Sequence, residues 1–188
     1  RVDNPRPVAS FDGAELDRFR NEPVSDFSRP AAREGMADAI RRVRGELGGR
    51  YPLWIACEGV ETRDEIVSTN PADPAEVAGR VACASAEDAG RAVSAAVRAF
   101  PSWAETPARD RADLLVRVAA LVRERRFELA AWEVLEVGKS WREADADVAE
   151  AIDYLEYYAR EAVRLAEVRR RDIHGEDNEY FYAPRGVT

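Results

Sequence analysis

The chain has few of the residues that most often announce chemistry. Its 188 residues include one histidine, His174, and two cysteines, Cys57 and Cys83. Two cysteines do not make a disulfide framework, so the thiols read as buried small hydrophobes in a reducing, cytoplasmic setting. No apolar run approaches the ~18 residues of a membrane span. The first residues carry no signal-peptide pattern. There is no Gly-x-Gly-x-x-Gly turn, no internal repeat and no low-complexity tract. Positive charge is in deficit: 28 Lys and Arg against 36 Asp and Glu give a net charge of −8 and a pI near 4.9. That balance argues against binding nucleic acid or an anionic membrane surface by charge alone.

What is present is an ordinary globular composition, 46% hydrophobic and 34% charged, with too much apolar content for disorder. Both ends read as cut. The chain begins at Arg1 without a methionine and stops in "EYFYAPRGVT", which reads as a strand that has just begun. The expectation is a piece of a longer protein.

Residues 1–30 are rich in proline and polar residues and read as an arm or linker, with a short helix at "GAELDRF". A helix is predicted over residues 31–47, where Met36, Ile40 and Val43 recur at spacings of four and three and Gly48-Gly49 stops the run. "YPLWIACEGVET" predicts a β-hairpin, with Leu53, Ile55 and Cys57 alternating and Glu58-Gly59 turning. "EIVSTNPADPAEVAGRVACAS" predicts two more strands around a Pro-Ala-Asp-Pro turn.

From there the pattern is helical. Ser85 and Asp88 make a capping box before a stripe of Ala89, Ala92, Val93, Ala96 and Phe100. Thr106 and Pro107 open the next helix, with Leu114, Leu115, Val118, Leu121 and Val122 toward its core. A third helix, around residues 127–135, stops at Gly138. A fourth begins near Ser140 and runs to about Val168. The tail, residues 172–188, reads as a polar turn followed by an aromatic strand.

The fourth helix has two faces at 100° per residue. Val148, Ile152, Leu155, Ala159 and Val163 form an apolar stripe. Glu143, Asp147, Glu150, Tyr154 and Tyr157 form a second stripe, roughly opposite. Two readings of this second face stay open here. It is a solvated face with tyrosines lying flat on it, as runs of charge usually are. Alternatively it borders a pocket, with the rings as walls and a carboxylate offered to a cationic group.

The stretch "STNPADPAEVAGRV…FPSWAETPARDRADLL…EVGKSWREADADVAEAIDYLEYYAR" resembles the N-terminal region of the aldehyde dehydrogenase superfamily. The Asn-Pro turn, the Trp-to-Arg segment, the Glu-x-Gly-Lys after a helix and the Tyr-Tyr-Ala helix come in that family's order. "NEPVSDFS", "DVAEAIDYLEYYAR" and "GEDNEYFYAPRGV" are similar to its L-glutamate γ-semialdehyde (1-pyrroline-5-carboxylate) dehydrogenase branch. The resemblance covers residues from about 20 to the end.

The resemblance implies an α/β fold, of which this chain is the N-terminal part: mostly helical with short strands, without most of the Rossmann-like sheet and without the catalytic domain. Residues 1–30 are then an arm or linker, residues 31–168 the N-terminal helical and hairpin part of the nucleotide-binding domain, and residues 169–188 the start of an oligomerisation strand segment. It also implies oxidation of a small-molecule aldehyde with NAD, through a cysteine thiolate and a glutamate base. In the family these groups and most NAD contacts come after the point matching residue 188. Neither Cys57 nor Cys83 matches the nucleophile, so no catalytic or NAD-binding residue is expected in this chain. The isolated chain is expected to be inactive.

Glu150, the glutamate of "DVAEAID", is implied to face the α-ammonium group of the substrate. Glu136 and a carbonyl near Thr69 are implied to lie at a structural monovalent cation. A homo-oligomer is implied, with no nucleic-acid or membrane partner. Lys139 reads as a cation favourable at a helix end, and His174 as an exposed loop residue. Other readings remain: a different small aldehyde, the dehydrogenase half of a bifunctional proline-utilisation protein, or a non-catalytic helical interaction module.

Overall fold

The computed structural model describes residues 18–188. Most of the helix expected at "GAELDRF" lies outside these residues. The elements run α1 (Pro30–Arg44), β1 (Gly49–Tyr51), β2 (Leu53–Ile55), β3 (Glu58–Val60), β4 (Glu65–Asn70), β5 (Asp73–Ala82), α2 (Ala86–Glu105), α3 (Ala108–Glu124), α4 (Arg126–Val137), α5 (Trp141–Leu165), β6 (Arg169–Arg170) and β7 (Glu179–Tyr180). The chain divides into two compact units. One comprises residues 23–105, 125–148 and 184–188; the described part of the other comprises residues 18–22, 106–124 and 149–183.

In the first unit, α1 packs on α4. Ala39, Val43, Ala131 and Leu135 are buried together, with Ile40, Leu47, Phe127 and Trp132 around them. Small residues let the two helices approach. A Cβ at Gly35 would sit 2.9 Å from the Phe127 ring, so any side chain here would displace that ring. The helix expected over residues 31–47 ends earlier, at Arg44, because Gly45 turns its backbone N–H onto the carbonyls of Arg41 and Arg42. Gly48, at φ +81°, turns the chain, and Gly49 opens a strand that the sequence pattern did not predict.

That strand pairs parallel with β5, and β4 pairs antiparallel with β5 on its other side. The Asn-Pro turn between β4 and β5 is held by a buried side chain. Asn70 accepts the Ala72 N–H at 2.9 Å and donates to Glu76 at 2.6 Å. This local Asx bonding is why Asn precedes the proline here. The β2–β3 hairpin forms as predicted, but its turn is shifted. Ile55 pairs with Glu58, and the turn residues are Ala56 and Cys57, both at positive φ, 53° and 64°. Two left-handed residues match the twist of a two-residue hairpin. Cys57 is therefore exposed and Cys83 half-buried; neither is the buried hydrophobe expected.

The predicted capping box at Ser85 and Asp88 is present in full, with the Asp88 N–H donating to the Ser85 hydroxyl and Ser85 donating back to the Asp88 carboxylate. No residue of α2 is buried, so its predicted stripe lies open, with Val93 55% exposed.

In the second unit, α3 buries Ala112 and Ala119, whereas Leu114 and Val118 are exposed. Of the predicted stripe, Leu115, Leu121 and Val122 are half-buried, so the buried face is only partly the one that the periodicity gave. The later turns of α5 bury Ile152 and Ala159, as the apolar stripe predicted. This helix stops at Leu165, three residues early. The aromatic strand is only two residues long, Glu179–Tyr180, paired with β6. The Tyr180 and Tyr182 rings meet edge-on, with centroids 5.3 Å apart. Among the described residues no helix is long and apolar enough to cross a membrane.

Candidate functional site

The start of α5 is fixed by two local devices. Gly138 ends α4 in the left-handed region at φ +77°, with its N–H on the Val134 carbonyl. Ser140 and Glu143 then form a second capping box: the Glu143 N–H donates to the Ser140 hydroxyl at 3.3 Å, and Ser140 donates its N–H and hydroxyl to the Glu143 carboxylate. Those bonds hold the Glu143 carboxyl below its ordinary pKa, the Ser140 hydroxyl first. A Cβ at Gly138 would meet Pro71 at 2.8 Å. The Asn-Pro turn and the Gly-Lys turn, far apart in sequence, are therefore packed on each other.

Lys139, between the two devices, is more than a helix-end charge. Its ammonium pairs with Glu133 at 2.9 Å and with Asp147. Asp147 is thus an ion-pair partner and not the free acid that the second stripe suggested.

Asp145 was not singled out by the sequence reading. It lies on the buried side of α5 and is 1% exposed. Arg126 meets it with two nitrogens, at 2.7 and 2.8 Å. Ser25 adds its backbone N–H at 2.6 Å and its hydroxyl at 2.7 Å. The signal was available: Asp145 stands three residues before Val148 on the apolar stripe. Its partners are 120 and 19 residues away, which no local pattern reveals.

Glu150 lies further along α5, exposed, in a cleft of about 270 Å³. Tyr154, Tyr157 and Tyr158 line it together with Phe19, Asn21 and Asp153. The rings are ordered against one another. Tyr154 stacks on Tyr158 at 5.8 Å, Tyr158 meets Tyr157 edge-on at 5.3 Å, and Tyr157 meets Phe19 edge-on at 5.5 Å. Both readings of the second stripe hold in part. Its first turns are solvated or ion-paired, and its later turns border an aromatic cleft. Phe19, Asn21 and Asp153 are the cleft residues that the motifs did not indicate.

Glu136 lies on α4 beside β4. Its carboxylate accepts the Ser68 hydroxyl at 3.0 Å, and Thr69 is the next residue on that strand, at a register shift. Both Glu136 and Ser68 line a cavity of about 370 Å³ that also includes Tyr51, Trp132, Arg125 and Glu128. Arg125 beside Glu128 holds that carboxyl below its ordinary pKa. Among the described residues, no group of three or more His, Cys, Asp or Glu could hold a metal ion. His174 is exposed, in the turn between β6 and β7.

Against known proteins, residues 54–188 match the model of the aldehyde dehydrogenase family. The chain is 49% identical over 170 residues to 1-pyrroline-5-carboxylate dehydrogenase of Geobacillus kaustophilus, covering 90% of this chain and 33% of that one. Among solved structures it matches 1-pyrroline-5-carboxylate dehydrogenase from Thermus with bound NAD. The TM-score is 0.86 and the identity 49%, over 91% of this chain and 34% of that one. Proline utilization A from Bdellovibrio bacteriovorus matches with a TM-score of 0.85 at 34% identity, over 89% of this chain and 18% of that one. The chain spans about a third of the length of the curated relatives that it matches.

Proposed function

The chain belongs to the aldehyde dehydrogenase family, and we propose that the protein it represents oxidises L-glutamate 5-semialdehyde, the open form of 1-pyrroline-5-carboxylate, to L-glutamate with NAD. The observation that carries this reading is the cleft at Glu150. Its two carboxylates are Asp153, already bonded to Asn21 and the Glu22 N–H, and Glu150, which stands among aromatic walls and suits an aldehyde that also bears an α-ammonium group. A charge-assisted contact of that kind is worth about 1.5–3 kcal/mol. The relatives, 1-pyrroline-5-carboxylate dehydrogenases at 49% identity, support the same substrate.

In this reading the chain's own residues bind and orient, and perform no bond chemistry. Glu150 fixes the amino end of the substrate, which sets the distance of the aldehyde from the reacting groups. NAD, when bound, accepts the hydride. In the family the nucleophile and most NAD contacts come after the point matching residue 188, and the same placement is assigned here. Residues 31–168 are then the first part of the nucleotide-binding domain, and residues 169–188 lead toward a subunit contact in a homo-oligomer, where Phe181 is an exposed ring. The enzyme would work in the cytoplasm.

The same reading places a structural monovalent cation near Glu136 and Thr69. The donors fit a hard ion: the Glu136 carboxylate, the Ser68 hydroxyl beside it and a strand carbonyl at Thr69 are all oxygen. A second reading, in which the dehydrogenase is one part of a larger proline-utilisation chain, is favoured by the match to proline utilization A. The test is turnover by the purified full-length protein with NAD, comparing L-glutamate 5-semialdehyde with propanal. A preference for propanal would overturn the substrate assignment.

A further inference from the structure

The Glu150 cleft has a wall that comes from far away in the sequence. Asp153, three residues after Glu150, binds two consecutive residues of the N-terminal arm. Its Oδ2 accepts the Asn21 side-chain N–H at 2.7 Å, and its Oδ1 accepts the Glu22 backbone N–H at 2.6 Å. Arg123 also holds the segment, reaching the Glu22 carboxylate at 2.7 Å and Glu156 at 2.9 Å. Two residues upstream of Asn21, the Phe19 ring stands edge-on to Tyr157 and lines the cleft.

We propose that Asp153 is a positioning residue, and that arm residues 19–22, held on α5 by its carboxylate, are the wall that makes the Glu150 cleft selective for an amino-acid aldehyde. The proposal rests on the reading of Glu150 as the ammonium partner. The physical argument is about water. A carboxylate and an ammonium attract weakly when both stay solvated and more strongly when apolar surface displaces the solvent. Phe19 is an apolar ring, so its place at the cleft excludes water without competing for the carboxylate. A simple aliphatic aldehyde has no ammonium group, and gains little from this shielding. The bonds to Asp153 go to backbone and side chain together, which fixes both the path of the arm and its rotation.

The test uses the full-length dehydrogenase and two readouts. Trypsin cuts after Arg18 and Arg20, both exposed in the arm, so the cleavage rate there reports whether the arm is held. The second readout is KM and kcat for L-glutamate 5-semialdehyde and for propanal. Asp153→Ala is expected to speed cleavage at both arginines and to raise KM for the amino-acid aldehyde about tenfold, with kcat within about twofold and a smaller change for propanal. Phe19→Ala is expected to raise the same KM. The exchange Asn21→Asp with Asp153→Asn keeps a side-chain bond with donor and acceptor reversed, and is expected to restore slow cleavage and the low KM. Fast cleavage with an unchanged KM ratio in Asp153→Ala overturns the proposal, as does unchanged cleavage. Glu150→Ala separates the two ideas. If it shifts the substrate ratio and Asp153→Ala does not, the Glu150 reading stands and the arm wall falls. If Glu150→Ala leaves the ratio unchanged, both fall.

Discussion

Asp145 and Arg126 face each other as a two-pronged ion pair, with nitrogen–oxygen distances of 2.7 and 2.8 Å, at the buried side of α5. Burial pushes the Asp145 carboxyl up, but the Arg126 bonds and the two Ser25 bonds outweigh it and hold the pKa below its ordinary 3.8. A depressed carboxylate contributes stability that is present above its unfolded pKa and is lost as pH falls through the lower folded value. Asp145→Ala also removes the two-pronged pair from Arg126, a loss on the order of 3 kcal/mol for breaking a buried pair. Thermal melting of the full-length protein at neutral pH should show this. The gap between wild type and Asp145→Asn should narrow as pH falls from about 3.8 through the lower folded value, because the unfolded carboxyl takes up its proton first and the folded one only afterwards. A gap that stays constant down to acid pH would mean that the charge contributes nothing.

Gly138 is required twice over. Its φ of +77° disfavours any Cβ, by about 1–2 kcal/mol. The Cβ would also strike Pro71 at 2.8 Å. Gly138→Ala should therefore lower the melting temperature by more than a left-handed alanine alone would. Gly138→Ala in a Pro71→Ala background should recover part of the loss, since only the collision is relieved. Equal destabilisation in both backgrounds would show that Pro71 gives way freely.

The hairpin turn at Ala56 and Cys57 uses residues ill suited to positive φ. Asn-Gly is the favoured pair for a two-residue turn with both residues left-handed. Replacing Ala56 by Asn and Cys57 by Gly should stabilise the protein by about 1 kcal/mol, seen as a higher denaturant midpoint. No gain, or a loss, would indicate that the turn relaxes elsewhere in solution.

Glu150→Ala in the full-length enzyme should lower kcat/KM for L-glutamate 5-semialdehyde more than for propanal. Glu150 is exposed in this chain, so the lower end of the charge-assisted range applies, about 1.5 kcal/mol or roughly tenfold. Glu150→Gln should be milder, because an amide still accepts a hydrogen bond. Asp147 is a poor control, since its ion pair with Lys139 makes its removal a structural change. Equal loss for both aldehydes would make Glu150 a structural residue.

Local chemistry wrote much of this chain into its sequence. The Ser85–Asp88 box, the glycine stop at Gly138 and the apolar stripe through Val148, Ile152 and Ala159 each depend on residues within a turn or two. The hairpin was legible in place but not in register, because φ at Ala56 and Cys57 is not set by their side chains. The capping box at Ser140 and Glu143 was also written plainly, in a Ser-x-x-Glu pattern. Order and spacing of motifs likewise indicated the family.

Tertiary structure alone decided which polar residues would be bound by distant partners. Asp145 reads as one more acid on a charged helix until Ser25 and Arg126 converge on it and close it from water. Asp153 reads as a solvated residue until Asn21, 132 positions earlier, comes to rest on it. The same holds for α3, where Ala112 and Ala119 are buried while Leu114 and Val118 stay exposed. Periodicity says which residues share a face. It does not say what will lie against that face, because that depends on chain segments whose distance in sequence carries no information about their distance in space.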